Sequence, residues 1–120
     1  MKEVYELDIY RLSEELSDMI WHDFDKWPFK AQNTIGYQII DSSDSITSNL
    51  AEGYGRYGMA DRKRFYYFSR GSFEETKVWL RKAIRIKIIT EARANEYKSI
   101  IEILGPKLNS FIKATIDNSK

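Results

Sequence analysis

The 120-residue chain contains no cysteine and a single histidine, His22. Disulfides and thiolate metal sites are thereby excluded. A zinc or di-iron centre calls for two imidazoles or a Glu-x-x-His pair, and the sequence offers neither. The first residues, Met1-Lys2-Glu3-Val4-Tyr5-Glu6, lack the apolar run of a signal peptide. No stretch approaches the ~18 uninterrupted apolar residues of a membrane span. No alternation of strand type reaches a useful length, and no internal repeat or linker breaks the pattern. These absences predict a cytoplasmic protein with no bound metal or cofactor and no catalytic centre. By length it forms one domain over residues 1–120.

Charge is plentiful but unevenly placed. The net charge is only +1, yet residues 1–55 hold four basic and eleven acidic side chains, a balance of −7. Residues 56–120 hold fifteen basic and seven acidic side chains, a balance of +8. Such asymmetry suits an anionic partner, or head-to-tail association between unlike faces.

Apolar spacing predicts four helices. The first covers about residues 5–25, with Ile9, Leu12, Leu16, Met19 and Ile20 recurring at steps of three and four. Trp27-Pro28 ends it. The second covers about 31–54, with Ile35, Ile39, Ser42, Ile46 and Leu50 on one face and Asp41 and Asp44 opposite. Its serine-rich centre has low helix propensity, and the apolar spacing decides for helix. Gly53, Gly55 and Gly58 are expected to end it, because glycine tolerates positive φ. The third helix covers about 60–88 and is expected to bury Phe65, Phe68, Ser72, Thr76, Trp79, Ala83 and Ile86. Thr90 is the expected N-cap of the fourth helix, which carries Tyr97, Ile100, Ile101, Leu104, Leu108, Phe111 and Ile112 inward to about residue 116. Gly105-Pro106 predicts a kink or break within it, and the tail from Asp117 is expected to fray. Four amphipathic helices with short connections imply an all-α, antiparallel, up-down-up-down four-helix bundle.

Several short motifs compete for a functional reading. Gly53-Tyr54-Gly55-Arg56-Tyr57-Gly58 matches G-x-G-x-x-G, but a helix precedes it and no βαβ unit surrounds it. A helix-end turn is the better reading, and Arg56 with free amides nearby remains a weaker candidate for holding a phosphate. Glu52 and Arg56 are spaced to pair at i, i+4, with Asn49 one turn earlier. The group reads better as a polar clasp than as a general acid or base, since no second carboxylate, His or nucleophile accompanies it. His22 reads as a surface or helix-end residue rather than a ligand, and Trp21 and Trp27 read as core-edge residues.

The strongest signal is a basic stripe. Lys63, Arg70, Lys77, Arg81 and Arg85 fall within roughly 80° on a helical wheel, opposite the expected core face. Tyr66, Tyr67, Phe73 and Ile84 flank it, and Glu74 interrupts it. Cations beside exposed aromatics suit a nucleic-acid backbone with unpaired bases. A solvated face, or a contact with another subunit, explains the stripe equally well.

Two runs carry a resemblance. Ser45, Ile46, Asn49, Ala51, Glu52, Gly53 and Arg56 fit S-I-x-x-N-I-A-E-G-x-x-R, with Leu50 in place of Ile. Phe65, Arg70, Gly71, Ser72 and Glu75 fit F-x-x-x-A-R-G-S-x-x-E, with Ser69 in place of Ala. The pair resembles the signature of the bacterial four helix bundle proteins encoded in intervening sequences of large-subunit ribosomal RNA genes. The resemblance implies a four-helix bundle and a homo-oligomer, family members forming five-fold rings. It supports a non-catalytic module binding RNA or single-stranded nucleic acid. The alternative is a protein-interaction scaffold, similar in fold to the reverse-transcriptase accessory bundles of diversity-generating retroelements. Asn49, Glu52, Gly53, Gly71 and Ser72 are then motif residues with a structural role.

Overall fold

The buried side chains of this protein line four long helices around one continuous apolar core. The computed structural model describes residues 2–118. A turn of 3-10 helix, Val4–Glu6, leads into α1 (Asp8–Phe24). After Trp27-Pro28 the chain winds through α2 (Phe29–Ala31) and a π-helical segment, Gln32–Gly36, directly into α3 (Tyr37–Tyr54). The longer legs are α4 (Met59–Arg85) and α5 (Glu91–Asn118). Contacts run α1 to α3, α3 to α4, α4 to α5 and α5 to α1, which closes the antiparallel four-helix bundle. No strand occurs among the described residues, and no helix there is long and apolar enough to cross a membrane.

The serine-rich centre of the second leg is helical for a packing reason. Ile39, Ile46 and Leu50 of α3 are buried, and truncating any one to alanine would cost about 2–5 kcal/mol. Between them, small side chains let α3 and α4 approach. Ser69 donates to the carbonyl of Ile46 at 2.8 Å, and Thr76 donates to Ser42 Oγ at 2.9 Å. The hydroxyls of Ser42, Ser43 and Ser45 bond back to carbonyls one turn earlier, so none is left unpaired. Packing overrides weak propensity here.

Three expectations need correction. On α4 the buried face is Tyr66, Ser69, Phe73, Thr76, Leu80 and Ala83. Thr76 and Ala83 were expected there, whereas Phe68 and Ile86 are about half exposed, at 50% and 46%. The helix is turned by roughly 70° from the expected orientation. Second, of the kink or break expected at Gly105-Pro106, the break does not occur: Pro106 lies inside α5, with Leu104 and Leu108 on either side fully buried against the core. Third, no glycine has positive φ. Gly53 lies inside α3, where a Cβ would meet Tyr66 Cε1 at 2.7 Å, so close approach rather than backbone freedom demands glycine.

Thr90 caps α5 as expected, its hydroxyl accepting the Arg93 amide at 3.2 Å. Trp27 is buried, but Trp21 is 65% exposed instead of sitting at the core edge. Asp117 and Asn118 continue the helix, and the rest of the tail expected to fray, residues 119–120, lies outside the described residues.

Candidate nucleic-acid interface

The core-facing residues of α4 fix where its cations point. Arg70, Lys77, Arg81 and Arg85 are exposed, and Lys63 is half-buried. The stripe lies roughly 100° from the centre of the buried face, so it flanks the core instead of opposing it. Two of its supposed exposed neighbours, Tyr66 and Phe73, are core residues, while Tyr67 is indeed half exposed. Phe73 still touches the stripe from beneath, with the Lys77 ammonium 5.5 Å from its ring centroid.

Glu74 interrupts the stripe and is engaged by it. Its carboxylate lies 3.3 Å from Lys77 Nζ and 4.0 Å from Arg70. Arg70 also donates through Nε to Asn109 Oδ1 of α5 at 2.8 Å. Lys63, Arg81 and Arg85 make no ion pair among the described residues. Where the stripe meets α5, Glu74, Lys77, Arg81 and Lys98 line a groove of about 400 Å³ together with Leu80, Ile84 and Ile101. The result is a cationic margin along a bundle edge, suited to an extended anion.

Arg56 is placed differently. It pairs with Glu52 as the spacing predicts, and its guanidinium lies 4.8 Å from the Phe65 ring centroid. Its carbonyl accepts from Arg62 Nε. This turn is on the Phe65 side of α4, away from the stripe, and the Arg56 charge is already matched. Asn49 does not join the pair, since its amide donates to the Ser45 carbonyl at 2.8 Å. Gly71 is exposed, and a Cβ placed there would meet nothing within 4 Å. The Ser72 carbonyl oxygen lies 2.8 Å from the Thr76 hydroxyl oxygen. The motif residues therefore do not converge on one centre.

A polar cluster that the sequence did not reveal closes one end of the bundle. Asp23, 5% exposed, accepts from Arg93 Nε at 2.8 Å and from the Tyr97 hydroxyl at 2.7 Å. Arg93 also pairs with Glu96. Hydrogen bonding to Asp23 raises the Arg93 pKa further above its usual range. Burial, reinforced by the Asp23 hydrogen bond, raises that of Tyr97 well above the ordinary phenol value. The apolar stripe of α5 hinted at this arrangement, because a buried tyrosine hydroxyl needs a partner. Nothing in the spacing identified Asp23 as that partner. No buried side-chain nitrogen or oxygen among the described residues lacks a hydrogen-bond partner, and those residues include no group of three His, Cys, Asp or Glu side chains able to hold a metal.

The model of the 23S rRNA-intervening sequence protein family matches residues 5–110. The chain belongs to that family. Its structure is similar to the crystal structure of a protein of unknown function, described as from the S23 ribosomal protein family, from Bacteroides thetaiotaomicron. The two superpose with a TM-score of 0.77 at 23% identity, over 88% of this chain and 95% of that one. At that identity the likeness shows the shared bundle fold. No curated protein matches the chain. The structure divides the signature into two tasks. Glu52, Gly53 and Arg56 shape the α3–α4 turn, whereas Arg70 and Gly71 face outward.

Proposed function

We propose that this protein is a non-catalytic, cytoplasmic nucleic-acid-binding bundle, with RNA as its target, and that it works as a homo-oligomer. The observation that carries the reading is the cationic edge of α4. From Lys63 to Arg85 it extends for about 33 Å of helix, comparable to one duplex turn. Glu74 is the lone acid in that stripe, and its charge is shared between two of the five cations. Surface pairs of that kind hold little energy and exchange readily for phosphate. The family's link to 23S rRNA intervening sequences adds support for RNA.

A second reading, a protein-interaction scaffold similar to reverse-transcriptase accessory bundles, draws on another observation. Tyr67, Phe68 and Val78 on the outer side of α4 are 51%, 50% and 64% exposed. Such residues suit a subunit or partner contact. A closed assembly such as a five-fold ring would use two different faces of each copy.

The deciding experiment titrates labelled RNA against wild type and an Arg81→Glu/Arg85→Glu variant at several salt concentrations, after sedimentation shows equal oligomeric states. Wild-type affinity should fall steeply with salt, and the magnitude of the slope should drop by about 0.7–0.9 for each phosphate the variant no longer holds. No wild-type binding near physiological salt, or an unchanged slope in the variant, would refute the RNA reading and favour the scaffold.

A further inference from the structure

A groove of about 730 Å³ separates the N-terminal part of the second leg from the C-terminal part of α4. Its volume falls in the range of small-ligand sites. Tyr37, Trp79, Ile86 and Ile88 supply apolar surface, and Lys30 and Lys82 supply charge. No acidic side chain lines it, although residues 1–55 carry the −7 balance.

Its aromatic walls are held in place. Gly36 leaves room for the Phe24 ring, since a Cβ there would lie 2.8 Å from Phe24 Cε2. The Phe24 ring in turn braces Tyr37, with centroids 5.3 Å apart, while Tyr37 remains 52% exposed. Trp79 is pinned by its indole N–H, which donates to Glu75 Oε1 at 3.2 Å, and by Lys82, 5.9 Å from its ring centroid. The π-helical turn sets Asn33 on the same wall, with its amide donating to the Phe29 carbonyl and its own side-chain oxygen still able to accept. The side chain of Gln38, also in the groove, makes no hydrogen bond among the described residues. Fixed π-faces, free amide groups and unopposed ammonium groups together suit a flat heterocycle attached to an anion.

The groove is also connected to the cationic edge. Residues 76–90 hold five basic and no acidic side chains. Arg81, Arg85 and Lys82 step around α4 by roughly 40–60° each, leading from the stripe to the groove.

We propose that this groove receives unpaired bases of a single-stranded nucleic acid, with Tyr37 and Trp79 as stacking surfaces and Lys30 and Lys82 meeting the flanking phosphates. The proposal rests on the nucleic-acid reading above and deepens it: the stripe holds backbone in general, and the groove selects unpaired strands. Preformed walls lower the ordering cost of such binding.

The test compares a short labelled single-stranded RNA with a blunt duplex of the same sequence, using wild type, Tyr37→Ala, Tyr37→Phe and Lys30→Glu. Tyr37→Ala should weaken single-strand binding roughly 5- to 150-fold, the range for loss of one base–aromatic stack. Tyr37→Phe should restore it, and Lys30→Glu should weaken it. Duplex binding should stay within twofold of wild type in the Tyr37 variants. If Tyr37→Ala and Lys30→Glu bind the single strand as wild type does, the groove proposal falls while the stripe stands. If wild type binds neither RNA, both readings fall. A changed sedimentation coefficient of the RNA-free Tyr37→Ala protein, with its thermal melt unchanged, would make the groove a contact between copies and overturn the proposal.

Discussion

The Tyr97 hydroxyl donates to Asp23 Oδ2 across 2.7 Å, joining residues 74 positions apart in sequence. Asp23 closes α1 and Tyr97 opens the buried face of α5, so this bond ties the first and last long helices where the two turns meet. Arg93 completes the neutralisation of the carboxylate from one side. Because the acceptor is charged and buried, Tyr97→Phe should lower stability by about 1.5–3 kcal/mol. Urea unfolding of wild type and variant would check this through the midpoint at constant slope. A loss below ~0.5 kcal/mol would mean that water replaces the hydroxyl freely.

The same bond predicts an alkaline limit. Burial and Asp23 raise the Tyr97 pKa in the folded state above its unfolded value near 10. A group whose folded pKa is raised contributes stability that is complete below the unfolded pKa and is lost as pH rises toward the folded one. Stability should therefore decline above about pH 10, and the decline should be shallower in Tyr97→Phe. Tyr66, also raised by burial, adds a background in the same direction that both proteins share. Equal slopes in the two proteins would show that Tyr97 is not the group responsible.

The four helices were legible because their apolar residues recur at steps of three and four, and the buried faces of α1, α3 and α5 follow from that spacing. On α4 the spacing is ambiguous. Phe65, Phe68, Ser72, Trp79 and Ile86 form one seam, and Tyr66, Ser69, Phe73 and Leu80 form another beside it, with Thr76 and Ala83 common to both. The first is the more hydrophobic, yet the second is buried, since Ser69 allows α3 to come close and bonds to its Ile46 carbonyl. Hydrophobicity alone cannot rank two seams when one gains from small polar residues. The cations of the candidate site were legible as a stripe, but their position relative to the core inherited that ambiguity. Asp23 was illegible because its partners, Arg93 and Tyr97, are about seventy residues distant.

Lys87 ends α4 in the left-handed region, with φ 66°, where a side chain costs roughly 1–2 kcal/mol relative to glycine. The conformation lets the Ile88 amide reach the Ala83 carbonyl at 3.1 Å and turns the chain toward Thr90. Lys87→Gly should therefore raise stability by about 0.5–1 kcal/mol, after the entropy gained by the unfolded chain is subtracted. Thermal unfolding would report this as a higher midpoint. A lower midpoint would mean that the lysine side chain contributes more than the strain removes.

Two glycines of the family signature should respond in opposite ways to the same substitution. At Gly53 a methyl group would press on Tyr66 from 2.7 Å, in a core with no room to give, so Gly53→Ala should destabilise by about 1–3 kcal/mol. Gly71 stands in the middle of α4 with open space around it, and Gly71→Ala should stabilise the chain by about 0.5–1 kcal/mol through helix propensity. Within one folded copy nothing requires glycine at 71, and alanine is the better helix former. Gly71 lies beside Arg70 on the outer surface with Tyr67 and Phe68, so a need for glycine there would have to come from outside the single copy. Denaturant midpoints of the two variants test the pair directly. A destabilised Gly71→Ala would show that the residue is needed for folding, and the argument for an outside partner at that position would then fail.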